Sequence, residues 1–127
     1  MTPIYGLRQL LLNQASVTAI TNTVEPIPAP ESLARYPLIT YQQISSKHDY
    51  SLQGPISVDQ TRIAYNCFSK SYVQARQLAD AVSQTFDGFK GILPDGTEAY
   101  TEVISQDDGY DTGNQLSKVT VQIYCWA

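Results

Sequence analysis

Charge is scarce in this chain: Asp, Glu, Lys and Arg make up only 16% of its 127 residues, against about a quarter in an average soluble domain. Two readings of such a surface stay open. Either Ser, Thr, Gln and Asn do the solvating, or part of the surface is covered by other subunits. His48 is the single histidine, and a lone imidazole with no second ligand at metal-binding spacing does not make a metal site. Cys67 and Cys125 are the only cysteines, too few for a disulfide framework. Each falls near the end of an expected strand, where a thiol acts as a small buried hydrophobe. No basic-then-apolar leader opens the chain, and no apolar run has bilayer-spanning length. The expectation is a soluble protein made in a cytoplasm, with no membrane partner.

Signals for catalysis are equally thin. No serine sits in a nucleophile-elbow context. Gly88-Phe89-Lys90-Gly91 lacks both the spacing and the lysine–hydroxyl pair of a phosphate loop. Glu98 with Glu102, and Asp107 with Asp108, are closely spaced carboxylates, but adjacent acids in a loop are ordinarily just hydrated. An enzyme is not expected, and no cofactor is called for. The formal charge of −4 argues against non-specific attraction to nucleic acid. The acids are unevenly placed: Asp87, Asp95, Glu98, Glu102, Asp107, Asp108 and Asp111 face only Lys90 in that stretch. This is either a solvated edge or a surface that repels a polyanion passing close by.

What is present is a good domain-sized set of elements. A chain of 127 residues with 43% hydrophobic content forms one domain, residues 1–127, and buries roughly two-thirds of its unfolded surface. The organising stretch is 69–88. There Tyr72, Ala75, Leu78, Ala79, Val82 and Phe86 recur at three- and four-residue steps and define one face of a helix. Arg76, Gln77, Asp80 and Gln84 fall mostly opposite. Ser71 followed by Gln74 fits a capping box, and Gly88 suits the left-handed residue that ends a helix.

Upstream, Thr2-Pro3 opens a helix whose apolar stripe is Ile4, Leu7, Leu10, Leu11 and Leu12. Ser16 is expected to cap a second short turn with Val17 and Ile20 facing in. A crossing with Pro26, Pro28, Pro30 and Pro37 follows. Strands are expected over 38–46 and 58–68, the second with Ile63, Tyr65 and Cys67 on one face and Arg62, Ala64, Asn66 and Phe68 on the other. The polar segment 47–57 between them, with Gly54-Pro55, reads as a long hairpin tip. After the main helix, 91–96 is a turn-rich joint, 99–106 a third strand, and 107–115 a flexible loop. The last strand, 116–126, alternates Val119, Val121, Ile123 and Cys125 with Lys118, Thr120, Gln122, Tyr124 and Trp126. The expected fold is α+β: a mainly antiparallel four-stranded sheet with helices on one face, in the order α-α-β-β-α-β-β.

The outer face of the last strand starts polar and ends aromatic. No segment is obviously left to cover that aromatic end, which argues for self-association. The alternative is that Trp126 folds over the domain's own edge. Strand propensity accounts for Tyr41, Tyr65, Tyr100 and Tyr124 among the nine tyrosines. Tyr50 and Tyr110 are expected at loop tips, where aromatic residues either anchor an interface or stand idle.

The element order, together with Leu7–Leu12, Val17–Ile20, the 36–42 stretch Tyr-Pro-Leu-Ile-Thr-Tyr-Gln, the 62–69 strand, the 72–82 helix and the 119–126 ending, resembles the tail-completion and tail-terminator proteins of long-tailed bacteriophages. The resemblance spans nearly the whole chain through many small matches. The extra prolines of the crossing and the 107–115 segment depart from it. It implies a ring, commonly of six copies, that caps the tail tube and joins it to the head. The implied partners are sibling copies, the tail-tube protein and a neck or connector protein, with no cofactor. The implied location is the head-proximal end of the tail in the virion, after assembly in the host cytoplasm. Interface candidates are Lys47, His48, Asp49 and Tyr50 in the hairpin tip, with Tyr110, Tyr124 and Trp126. Asp95, Glu98, Glu102, Asp107, Asp108 and Asp111 would suit a lumen through which DNA slides without sticking. The competing readings are a neck or head-completion ring, and a small-molecule-binding α+β domain.

Overall fold

A computed structural model of the chain describes residues 4–20, 24–26, 37–51, 54–94, 96, 98–111 and 116–126. The element order is α1 (Ile4–Leu12), α2 (Ala15–Thr18), β1 (Val24–Pro26), β2 (Leu38–Ser51), β3 (Gly54–Ser69), α3 (Tyr72–Phe86), β4 (Lys90–Ile92), β5 (Glu98–Asp111) and β6 (Leu116–Trp126). The α+β class stands, with the helices on one face, but the sheet has six strands in the order β1-β2-β3-β6-β5-β4. Four strands were expected. The two additions, β1 and β4, are three residues each, too short to show any alternation in sequence. β1 runs parallel to β2 and all other neighbours are antiparallel. The expected turn-rich joint 91–96 therefore begins as part of β4.

The segments 47–57 and 107–115 also differ from expectation. Residues 47–51 and 54–57 extend β2 and β3, with Lys47 opposite Gln60 and Ser51 opposite Gly54. Residues 107–111 extend β5, with Asp107 opposite Thr120 and Asp111 opposite Leu116. Polar side chains there carry no period-2 signal, because the ladder holds the backbone whatever the side chains are.

α3 forms as the spacing predicts. Ser71 is its N-cap, and its Oγ accepts from the Gln74 amide at 3.4 Å. The Gln74 side chain accepts from Ser69 Oγ instead of closing the capping box. Gly88 has φ +71° just past the helix end. Ala75, Leu78, Ala79, Val82 and Phe86 are fully buried, and the alanines allow close approach to β3 and β6. Tyr72 departs from that face: it is about half exposed and donates its hydroxyl to Asp108.

α1 buries Leu7, Leu10 and Leu11, and Arg8 Nε donates to the Val24 carbonyl at 2.7 Å, tying α1 to β1. α2 is capped by Gln14 without a side-chain bond, so Ser16 is not the cap. The Thr2-Pro3 opening and the crossing 27–36 lie outside the described residues. On the helix side of the sheet Ile63, Tyr65 and Cys67 meet Val119, Val121, Ile123 and Cys125, all fully buried. Tyr65 stacks between Tyr41 (6.1 Å) and Phe86 (5.1 Å). Cys67 sits opposite Val119 and Cys125 opposite Thr61, which separates the thiols by about 20 Å along the sheet. Burial raises both thiols above their usual range, Cys125 to about 12. No described helix is long and apolar enough to cross a membrane.

Candidate interaction surface

The helices cover one face of the sheet, and among the described residues no element lies over the middle and the β6 end of the other. Across its middle runs a polar ladder. Thr120 donates to Asn66 Oδ1 at 2.8 Å, Asn66 donates to Thr40, and Arg62 donates twice to Gln122 Oε1. These bonds follow from register, since Asn66 is opposite both Thr40 and Thr120.

The end of this face at the β6 terminus is aromatic. Trp126 is opposite Tyr100, with ring centroids 5.4 Å apart, and Tyr124 lies 5.7 Å from Trp126 on the other side. Gln60, Glu102, Ile104, Tyr124 and Trp126 border a shallow depression of about 390 Å³. Ile104, Tyr100 and Ile92 are all exposed, Ile92 to 72%. Exposed apolar groups clustered at one corner mark an interaction surface more than scattered ones do. Tyr124 and Trp126 were expected here. Tyr100, Ile104 and Ile92 were not, because only strand register brings them to the same corner.

The remaining candidates divide. Lys47 shares Gln60 as a ladder neighbour with Trp126, so the β2–β3 arm starts beside the aromatic corner. Lys47, His48, Asp49 and Tyr50 lie in the β2–β3 arm: His48 is opposite Asp59 and Tyr50 opposite Pro55, with a register shift at Asp49. Tyr50 is therefore a strand residue near the hairpin end. Tyr110 is likewise in a strand, opposite Ser117 and 59% exposed. It is ten positions along β5 from Tyr100, about 30 Å away, so it does not join Tyr124 and Trp126.

The acids do not form one surface either. Glu98, Glu102 and Asp107 fall on the uncovered face by strand alternation, together with Lys118 and Arg62. Asp108 points to the helix side, where it accepts from Tyr72 (2.8 Å) and Arg76 (3.0 Å). The carboxylate as hydrogen-bond acceptor holds the Tyr72 phenol above its usual range. Asp111 closes β5 opposite Leu116, and Asp95 lies outside the described residues. Among the described residues no group of three His, Cys, Asp or Glu could hold a metal ion.

The uncovered face is thus polar across its middle and aromatic at one corner. Over residues 6–127 the chain matches the family described as Tail completion protein gp17. It belongs to that family, which gives it a structural role in tail completion. No curated protein matches it. A solved chain from the virion of a native gene transfer agent particle is similar in fold, with a TM-score of 0.72 at 15% identity, covering 94% of this chain and 90% of that one.

Proposed function

We propose that copies of this chain form a ring, of six by the expectation above, that caps the tail tube at its head-proximal end and joins it to the neck. The observation that carries this reading is the aromatic corner of Tyr100, Tyr124 and Trp126, left uncovered by the described residues in a tail completion protein. A closed ring is made by head-to-tail contacts between two different patches of each subunit. The aromatic corner and the adjoining β2–β3 arm are one such patch. Ring closure at the tube end stops further tube subunits from adding and offers a new surface to the neck. The gene transfer agent likeness supports a place in a virion-like particle.

Electron microscopy of the purified protein, alone and with isolated tail tubes, tests the reading. Expected are ring-sized particles, seated at tube ends when tubes are present, and their loss in Trp126→Ser. Seating on heads but not tubes would favour a neck or head-completion ring instead. A strict monomer at every concentration that ignores tubes and heads would refute it.

A further inference from the structure

We infer that the bond between neighbouring copies is a main-chain one: residues 42–51 of β2 on one copy pair edge to edge with residues 102–111 of β5 on the next. The inference rests on the ring reading above and names the seam that closes it. β1 covers the outer side of β2 only at Ile39, Thr40 and Tyr41. β4 covers the outer side of β5 only at Glu98, Ala99 and Tyr100. Beyond those short patches no described strand pairs with either outer side, leaving matching lengths of 42–51 and 102–111. Unpaired rows of N–H and C=O groups are templates for another chain.

Strand polarity fits this join. β2 is antiparallel to β3, β3 to β6, and β6 to β5, so β2 and β5 run in opposite directions. Copies related by rotation therefore meet as an antiparallel pair, and the contact is heterologous, as a closed ring needs.

The offset of the two lengths fits as well. Gln42 lies level with Ser105, through Ala64 and Gln122. In level register β4 of one copy would meet the β2–β3 arm of the next. Sliding Gln42 from Ser105 to Asp111, six positions along β5, clears both β1 and β4. That slide is about 20 Å, and four long strands at about 4.8 Å spacing span about 19 Å. The resulting tilt is near 45°, at the upper end of the roughly 35–45° that closed sheets adopt.

Charge and bulges point the same way. Besides Asp108, which Arg76 pairs, the sequence of β5 carries Glu98, Glu102, Asp107 and Asp111 and no Lys or Arg, so like charge disfavours pairing of two β5 edges. The sequence of β2 holds one lysine, one histidine and one acid, so it has no such excess of like charge. Each strand also has a bulge that exposes an isoleucine, Ile44 at 47% and Ile104 at 39%. With the slide applied, the Ile44 bulge falls at one end of the seam, and the Ile104 bulge falls at the other, near the second β2 register shift at Asp49.

Amide exchange in the free and assembled protein tests the inference. The Thr101 amide donates to the Phe89 carbonyl, away from β6. Alternation past the bulge then turns the amides of Gln106, Asp108 and Tyr110 outward. Assembly should slow these three by at least about tenfold. Tyr110→Pro, which removes an outward amide, should abolish the ring, while Tyr110→Ala should leave it. Circular dichroism checks that the proline variant is folded; if it is not, the exchange measurement decides. A ring in which the three amides exchange at monomer rates would overturn the main-chain seam and leave the ring reading intact. Failure to assemble at all, alone or on tubes, would overturn the ring reading itself.

Discussion

Leu78→Ala tests the packing on which the sheet's uncovered face depends. Leu78 is fully buried where α3 meets β3 and β6, and its stripe neighbours Ala75 and Ala79 are fully buried too. Truncation removes three carbons, about 2.4 kcal/mol at roughly 0.8 kcal/mol per buried methylene. The hole would not refill easily. The flanking helix side chains are already methyl groups, and the sheet beneath is held by its ladders. A cavity term therefore adds to the transfer term, for a total of about 3–5 kcal/mol. In urea, with a slope of about 1–3 kcal/mol per molar, the unfolding midpoint should fall by at least about 1 M at unchanged slope. Gln77→Ala, on the exposed side of the same helix, should stay within about 0.5 kcal/mol. A loss below about 1 kcal/mol for Leu78→Ala would mean that the face of α3 is misassigned and the core argument fails.

Three further outcomes are expected. Thr101 is fully buried, and its hydroxyl donates at 2.6 Å to the carbonyl of Phe86, the last residue of α3. Thr101→Val should cost about 1–3 kcal/mol by calorimetry, and an unchanged melting temperature would show the bond to be idle. Ser71→Ala removes the cap oxygen of α3 and should cost about 1 kcal/mol in a denaturant titration, with Ser71→Asp restoring most of it. Cys67 and Cys125 keep their protons in the folded state, Cys125 to about 12, whereas an unfolded thiol releases its proton at about pH 8.5. Stability should therefore be level below about pH 9 and fall above it, by up to about 1.4 kcal/mol per pH unit for each thiol. Both thiols should resist alkylation at neutral pH until the protein is unfolded. Rapid labelling of the native protein would contradict their burial.

Local chemistry was legible in the sequence alone wherever burial leaves a periodic trace. The 3.6-residue stripe of α3, its Ser71 cap, Gly88 past its end, and the alternation of Ile63-Tyr65-Cys67 and of Val119 through Cys125 are all set by short-range physics, since each residue's face follows from its own neighbours in sequence. Tertiary structure decided the rest. β1 and β4 are too short to carry a period, and the polar extensions of β2, β3 and β5 are strands only because a partner ladder holds their amides. Register brought Tyr100 and Ile104 to Trp126, while the extension of β5 over 107–111 kept Tyr110 about 30 Å from them and its alternation turned Asp108 away from Asp107. A surface made by side chains on different strands depends on how the strands are aligned, and that alignment is a property of pairing across the sheet that no single stretch of sequence encodes.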